Sequence, residues 1–153
     1  NVNARSIGIE IVNPGHEFGY VPFAKEQIGA LLDLCDGIIA RHKIPAARVV
    51  GHSDVAPARK TDPGELFPWK ELSDYGIGIW PAESAKALRE APGDALAAFG
   101  YGVPPHADVP LEKVIAAFQR RFRPAMINGV WDNECGRKLA SLLTQIKTPV
   151  AAR

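Results

Sequence analysis

Residues 51–72 carry the side chains most suited to chemistry in this 153-residue chain. His52 and Asp62 supply one imidazole and one carboxylate, which are two of the ligand types that a catalytic zinc uses. Lys60 adds a cation close to them, and two prolines restrict φ, so the loop is stiffer than its length suggests. The composition indicates a metal-dependent hydrolytic site. The same residues also fit a solvated polar loop, since a single histidine near the end of a strand is commonly structural or solvent-facing.

Apolar periodicity predicts the elements around this loop. Residues 2–12 alternate as in a strand, with Ile7, Ile9 and Ile11 on one face and Glu10 on the other. Apolar residues at three- and four-residue steps predict a helix over 24–42, and the run 48–51 predicts a second strand. This order predicts an α/β fold with a mixed sheet flanked by helices.

The rest of the chain predicts helices only. A short helix is expected to open at Pro68, residues 76–81 read as extended, and helices are predicted over 94–99, over 111–122 and after the capping residue Asp132. We therefore divide the chain into a catalytic part at 1–82, a junction at 83–93 and a small three-helix domain at 94–147.

Composition limits the classes of function. The net charge of +1 and the lack of a basic stripe argue against nucleic acid as a partner. No apolar run approaches the roughly 18 residues of a membrane span. Cys35 falls on the apolar face of the first helix and is expected to be a buried thiol; with Cys135 as the only other cysteine, the redox compartment stays open.

Two motifs resemble a known family. The run Gly-His-Ser-Asp-Val-Ala-Pro-Ala-Arg-Lys-Thr-Asp-Pro-Gly at 51–64 and Ser-Ile-Gly-Ile-Glu at 6–10 resemble the zinc-dependent N-acetylmuramoyl-L-alanine amidases of the amidase-2 family. Residues 67–69 and 76–81 are similar to the envelope subgroup that carries a C-terminal peptidoglycan-binding domain. Residues 117–122 and 128–132 resemble that three-helix domain.

The resemblance implies a reaction and a set of roles. The expected reaction is hydrolysis of the amide between N-acetylmuramic acid and L-alanine in peptidoglycan or muropeptides, in cell-wall turnover or recycling. The alternative is a non-catalytic peptidoglycan-recognition protein of the same fold. The implied roles are zinc ligation by His52 and Asp62, acid/base catalysis by Glu10, oxyanion stabilisation by Lys60, and substrate contacts by Arg59 and Asn13.

One part of the family pattern is missing. The family binds zinc through two histidines and one aspartate, and its first histidine lies well before the run at 6–10, whereas this chain begins at Asn1. We therefore expect a truncated or processed piece that binds zinc weakly and has an N-terminal piece of the same protein as a partner. His16 could replace the missing ligand, but beside Pro14 and Gly15 it is expected to face solvent. The expected location is the cell envelope or periplasm, with an outer-membrane anchor in the missing part; the cytoplasm is the alternative.

Overall fold

The computed structural model describes residues 2–83 and 86–147, which contain six α-helices and two 3-10 turns. The helices are α1 (Lys25–His42), α2 (His52–Val55), α3 (Trp69–Asp74), α4 (Pro92–Phe99), α5 (Leu111–Phe122) and α6 (Asn133–Lys147). The 3-10 turns are Asn3–Arg5 and Ala46–Arg48.

The predicted sheet is wrong. No strand occurs among the residues that the structure describes, and the fold there is all-helical. The backbone is extended at Ser6, Val49 and Gly51, so the local conformation was read correctly at these points. A strand exists only through a ladder of hydrogen bonds to a neighbour, and residues 6–12 form no backbone–backbone hydrogen bond with other described residues. Alternation in the sequence predicts which side chains share a face of an extended segment, but it does not show whether a second strand lies beside that segment.

The helical predictions are confirmed, with small shifts at the ends. Helix α1 buries Ile28, Leu31 and Cys35 on one stripe, so Cys35 is the buried thiol that was expected, and burial raises its pKa. Helix α5 has the predicted bounds. Helix α4 begins two residues earlier than predicted, because Pro92 is well suited to the first turn of a helix.

Asp132 is the predicted cap of α6. Its Oδ1 accepts a hydrogen bond of 2.9 Å from the backbone N–H of Cys135, which satisfies one of the free donors at the start of a helix.

Two hydrophobic clusters organise the described residues. The first joins α1 to α3 and consists of Ile28, Leu31, Cys35, Phe67, Trp69, Leu72 and Ile77. The second packs α4, α5 and α6 around Phe118, Phe122, Leu96, Leu139 and Leu142, all of which are fully buried. Trp80 packs against both clusters. Whether the two parts fold independently, as the boundaries 1–82 and 94–147 imply, stays a prediction.

The N-terminal segment leaves apolar side chains in solvent. Ile7, Ile9, Val12 and Phe18 are all exposed, Val12 by 87%.

None of the helices within residues 2–83 and 86–147 combines the length and apolar character needed to cross a bilayer.

Candidate metal-ligand loop

The structure brings His52 and Asp62 together. Nδ1 of His52 lies 3.0 Å from Oδ2 of Asp62, although ten residues separate them in the chain. Their side chains are 44% and 58% exposed, so the pair is open to an ion or a substrate from solvent. Of the predicted site residues, these are the two whose side chains are in direct contact.

Backbone contacts explain why the two residues meet. His52 is the first residue of α2, and the buried N–H of Ser53 donates a 2.9 Å hydrogen bond to the carbonyl of Asp62. Gly51 packs so closely on Pro63 that an added Cβ would lie 2.9 Å from its Cδ. The loop therefore closes at its two ends, immediately beside the two side chains.

The pair forms a hydrogen bond, and its separation is close to that of two ligand atoms on one zinc ion. Zn–N and Zn–O bonds of ~2.0–2.1 Å at a tetrahedral angle place two ligand atoms about 3.3 Å apart. The observed 3.0 Å is close to this value, and both side chains are free to rotate slightly at the surface. Two donors do not complete a site, however, because a catalytic zinc uses three protein ligands. Across the described ranges, no group of three or more His, Cys, Asp or Glu side chains is placed to hold a metal ion.

Lys60 and Arg59 lie within the same loop. Both backbone N–H groups donate to the carbonyl of Ala56, at 3.0 Å and 3.1 Å, which fixes the turn after α2. Lys60 is half-buried and Arg59 is exposed. Neither side chain forms an ion pair with another described residue, so both cations remain available.

Among the described residues, Glu10 makes no hydrogen bond or ion pair with His52 or Asp62. It is exposed and lines a shallow groove between the N-terminal segment and α1, together with Ile11, Val12, Leu31 and Leu34 among others. The loop residues 52, 60 and 62 are not part of that lining. The predicted acid/base role of Glu10 thus has no geometric support from the described residues.

Asn13 braces its own loop. Its Nδ2 donates to the carbonyl of Val21 at 2.8 Å, and its Oδ1 accepts from the N–H of Gly15 at 3.1 Å. One N–H and one lone pair of the side-chain amide predicted to contact substrate therefore hold residues 13–21.

His16 faces solvent, as predicted, but it has a partner. Its Nε2 lies 3.0 Å from the carboxylate of Glu65, and its ring lies 4.4 Å from that of Tyr20. The Tyr20 hydroxyl donates to the carbonyl of Pro63 at 2.7 Å and accepts from the N–H of Leu66 at 3.0 Å. Burial raises the pKa of Tyr20, which favours the protonated form that donates. These contacts tie the 13–21 loop to the segment that follows Asp62, and sequence reasoning missed them.

Asp54 is the other residue that sequence reasoning missed. Its Oδ2 accepts from the N–H of Gly51 at 2.8 Å and from Nη1 of Arg121 at 2.7 Å, and its Oδ1 accepts from the Tyr101 hydroxyl at 2.7 Å. Burial, followed by the charge of Asp54, raises the pKa of Tyr101 well above its ordinary value, so the hydroxyl stays protonated. The position of Asp54 in the first turn of a helix is a local signal that the sequence offers. No local pattern in the sequence indicates that Arg121 and Tyr101 are its partners.

The paired imidazole and carboxylate on a closed loop are typical of a metal-dependent hydrolase. Residues 1–65 match the family Amidase_2, described as N-acetylmuramoyl-L-alanine amidase. This match covers 65 of the 153 residues, and this part of the chain is similar to that family.

Curated amidases are similar to the chain as well. The chain is similar to N-acetylmuramoyl-L-alanine amidase AmiD of Escherichia coli (strain K12), with 42% identity over 152 residues, covering 87% of this chain and 55% of the relative. It is also similar to 1,6-anhydro-N-acetylmuramyl-L-alanine amidase AmpD of Enterobacter cloacae, with 39% identity over 70 residues, covering 46% of this chain and 35% of the relative. The chain spans about half the length, or less, of the curated relatives it matches.

Solved structures share the fold. The complex of AmiD from E. coli with the substrate anhydro-N-acetylmuramic acid-L-Ala-D-gamma-Glu-L-Lys gives a TM-score of 0.72 at 39% identity, covering 83% of this chain and 55% of that one. AmpDh3 from Pseudomonas aeruginosa in complex with anhydromuramic pentapeptide gives 0.76 at 32% identity, covering 84% and 56%.

Proposed function

We propose that this chain is part of a zinc amidase that hydrolyses the amide between the lactyl group of N-acetylmuramic acid and L-alanine, in peptidoglycan or in muropeptides. The observation that carries the proposal is the 3.0 Å approach of His52 and Asp62 inside the segment that matches the amidase family. The relatives support it, since two of the similar structures hold muropeptide ligands.

The proposed residue roles come from the family resemblance, and the chemistry of each side chain suits its role. His52 and Asp62 would hold the zinc, which lowers the pKa of bound water and polarises a carbonyl. Lys60, which has no carboxylate partner among the described residues, stabilises negative charge on the carbonyl oxygen, as a fixed cation does in acyl transfer. Glu10 takes the proton from water and passes it to the leaving amine; this role rests on the family resemblance alone.

Substrate contacts are proposed for Arg59 and Asn13. The exposed guanidinium of Arg59 suits the carboxylates of a muropeptide, because an arginine can pair with a carboxylate through two hydrogen bonds. Asn13 would contact substrate through the second N–H of Nδ2 or the remaining lone pair of Oδ1, since one N–H and one lone pair hold the 13–21 loop.

The helical part, residues 94–147, is proposed to bind the cell wall. Gln119 is fully buried, and its Oε1 accepts from the N–H groups of Asn128 and Gly129, both at 2.9 Å. Its Nε2 donates to the carbonyl of Val130 at 2.8 Å. The side chain thus fixes a surface loop ending at the half-buried Trp131, a suitable platform for a sugar ring.

Location and partners follow from the same proposal. We place the protein in the cell envelope, in contact with peptidoglycan or muropeptides, with an N-terminal segment of the same protein supplying the third zinc ligand. The cytoplasm is the alternative location, where free muropeptides would be the substrate.

A second function is favoured by one observation. Only two zinc donors converge within the described residues, and a site without a third protein ligand could recognise peptidoglycan without cleaving it. Such a protein would sediment with purified sacculi and release no peptide from them.

Substitutions in protein produced from its complete gene test the proposed roles. His52→Ala and Asp62→Ala should lose zinc and muropeptide hydrolysis together, while Glu10→Ala and Lys60→Ala keep the zinc and lose most turnover. Zinc is measured by atomic absorption and hydrolysis by chromatography. His106→Ala, which removes an exposed imidazole from the helical part, is the control and should change neither. A Glu10→Ala variant with more than about a tenth of the rate would exclude Glu10 as the general base, whose contribution is ~10²-fold or more.

A further inference from the structure

A buried ion pair connects the helical part of the protein to the metal-ligand loop. Arg121 on α5 places Nη1 2.7 Å from Oδ2 of Asp54, and the two side chains are only 4% and 8% exposed. Nη2 of the same guanidinium donates to the carbonyl of Val49 at 3.0 Å. Cζ of Arg121 lies 3.9 Å from the centroid of the Trp69 ring. Arg121 is therefore held by a residue before the metal-ligand loop (Val49), one within it (Asp54) and one after it (Trp69).

Tyr101 completes the contact from a second element of the helical part. Its hydroxyl donates to Oδ1 of Asp54 at 2.7 Å, while the N–H of Gly51 donates to Oδ2 at 2.8 Å. Both carboxylate oxygens are thus occupied by donors of fixed direction. Since Asp54 is the third residue of α2 and His52 the first, a carboxylate held in this way fixes the turn that carries the histidine.

We propose that Arg121 and Tyr101 are positioning residues for His52, acting through Asp54. The proposal rests on the proposed function, in which His52 is a zinc ligand. A buried ion pair adds little net stability compared with apolar side chains of the same volume, but two hydrogen bonds of fixed geometry restrict the orientation of what they hold. Groups that orient metal ligands typically affect metal affinity or activity by about 10–100-fold.

The helical part then positions the metal-ligand loop in addition to binding the cell wall. A wall-binding module that were fully separable could be deleted without effect on the loop. The contacts of Arg121 and Tyr101 predict instead that the loop loses its orientation when that part is removed or mispacked.

Arg123 supplies a matched control. It is also a buried arginine, 3% exposed, in the segment at the end of α5, and it pairs with Asp132 and Glu134 in the helical part. None of its hydrogen bonds to other described residues reaches the metal-ligand loop. Arg123→Met therefore reproduces the loss of a buried charge without touching Asp54.

Amide hydrogen exchange at Ser53 and zinc affinity test the proposal. The Ser53 N–H donates to the carbonyl of Asp62, so its protection reports closure of the loop even without metal. In protein produced from the complete gene, Arg121→Met and Tyr101→Phe should each accelerate Ser53 exchange and weaken zinc binding by about tenfold or more. Arg123→Met should leave both within twofold, even where it lowers the unfolding midpoint.

Equal effects of Arg121→Met and Arg123→Met on Ser53 exchange would overturn the proposal, because both would then act through general stability. Unchanged exchange in both Arg121→Met and Tyr101→Phe would also overturn it. Tyr101→Phe removes a single oxygen and keeps the ring, so it provides the test if Arg121→Met fails to fold. If the unsubstituted protein binds no zinc, the proposed function fails, and the exchange measurement still decides whether the two residues hold the loop.

Discussion

Replacing Gly51 with alanine should open the metal-ligand loop. The added Cβ would lie 2.9 Å from Cδ of Pro63 and 3.4 Å from Cζ2 of Trp69. The first contact is about 0.5 Å shorter than the lower limit of ordinary van der Waals contact, 3.4 Å. Gly51 has φ of −83°, which any residue adopts, so the cost arises from crowding and not from the backbone.

The size of the effect follows from what has to move. Pro63 is a rigid ring bonded to Asp62, and relief of the contact must shift it away from Gly51 and His52. Overpacking of this kind costs about 1–3 kcal/mol, which lowers the melting temperature by roughly 2–4 °C per kcal/mol in a protein of this size. The same shift separates Nδ1 of His52 from Oδ2 of Asp62, so zinc affinity should fall as well.

Gly37→Ala provides the opposite expectation in the same protein. Gly37 lies inside α1, and outside the local helix backbone no atom of the described residues comes within 4 Å of an added Cβ. Alanine should therefore stabilise the protein by about 0.5–1 kcal/mol. Calorimetric melting and zinc titration of both variants form the assay. A Gly51→Ala protein that melts with the unsubstituted protein and binds zinc equally well would refute the close packing of Gly51 on Pro63 as the reason the two ligands meet.

Three further results are expected. The 153-residue chain alone should bind zinc only weakly, because two donors converge where three are needed; isothermal titration with a sub-micromolar dissociation constant would contradict this and restore His16 as a ligand. Gly64→Ala should destabilise the protein by about 1–3 kcal/mol, because φ is +91° at this position and the new Cβ would strike the Tyr20 hydroxyl; an unchanged urea midpoint would exclude that contact. The free energy of unfolding should fall as pH rises above about 10, because the pKa of Tyr101 is higher in the folded protein than in the unfolded chain. The protonated hydroxyl stabilises the fold at pH values below the unfolded pKa, and this contribution is lost as pH rises through the folded pKa. Tyr101→Phe should flatten the fall, and an alkaline stability profile identical to that of the unsubstituted protein would exclude this contribution.

The sequence was most informative where structure is local. The amphipathic pattern of α5 predicted its bounds, and Asp132 signalled the start of α6, because both signals lie within a few residues of the element they define. The site loop belongs to the same class. His52 and Asp62 lie ten residues apart in a motif of Gly and Pro residues, and the motif itself contains the contacts that close the loop.

Features that depend on distant partners could not be predicted. The runs 2–12 and 48–51 predict strands, yet strand pairing depends on a neighbour that the local pattern does not reveal, and 3-10 turns at Asn3–Arg5 and Ala46–Arg48 occupy part of both runs. The sequence separation of Asp54 and Arg121 is 67 residues, and an arginine on a helix normally indicates a surface charge. The same holds for Gln119. Its burial could not be predicted, because its Oε1 accepts hydrogen bonds from the N–H groups of Asn128 and Gly129, and the position of that loop is known only from the structure.

Hydrolysis in water enriched in oxygen-18 tests the central claim most directly. Protein produced from the complete gene would be incubated with zinc and an N-acetylmuramoyl tripeptide, and the products analysed by mass spectrometry. Cleavage of the proposed amide adds one labelled oxygen to the lactyl carboxylate of the muramic acid product and releases an unlabelled peptide with a free L-alanine amino group. Label in a carboxylate of the peptide, or no cleavage by a protein that binds the substrate, would contradict the account.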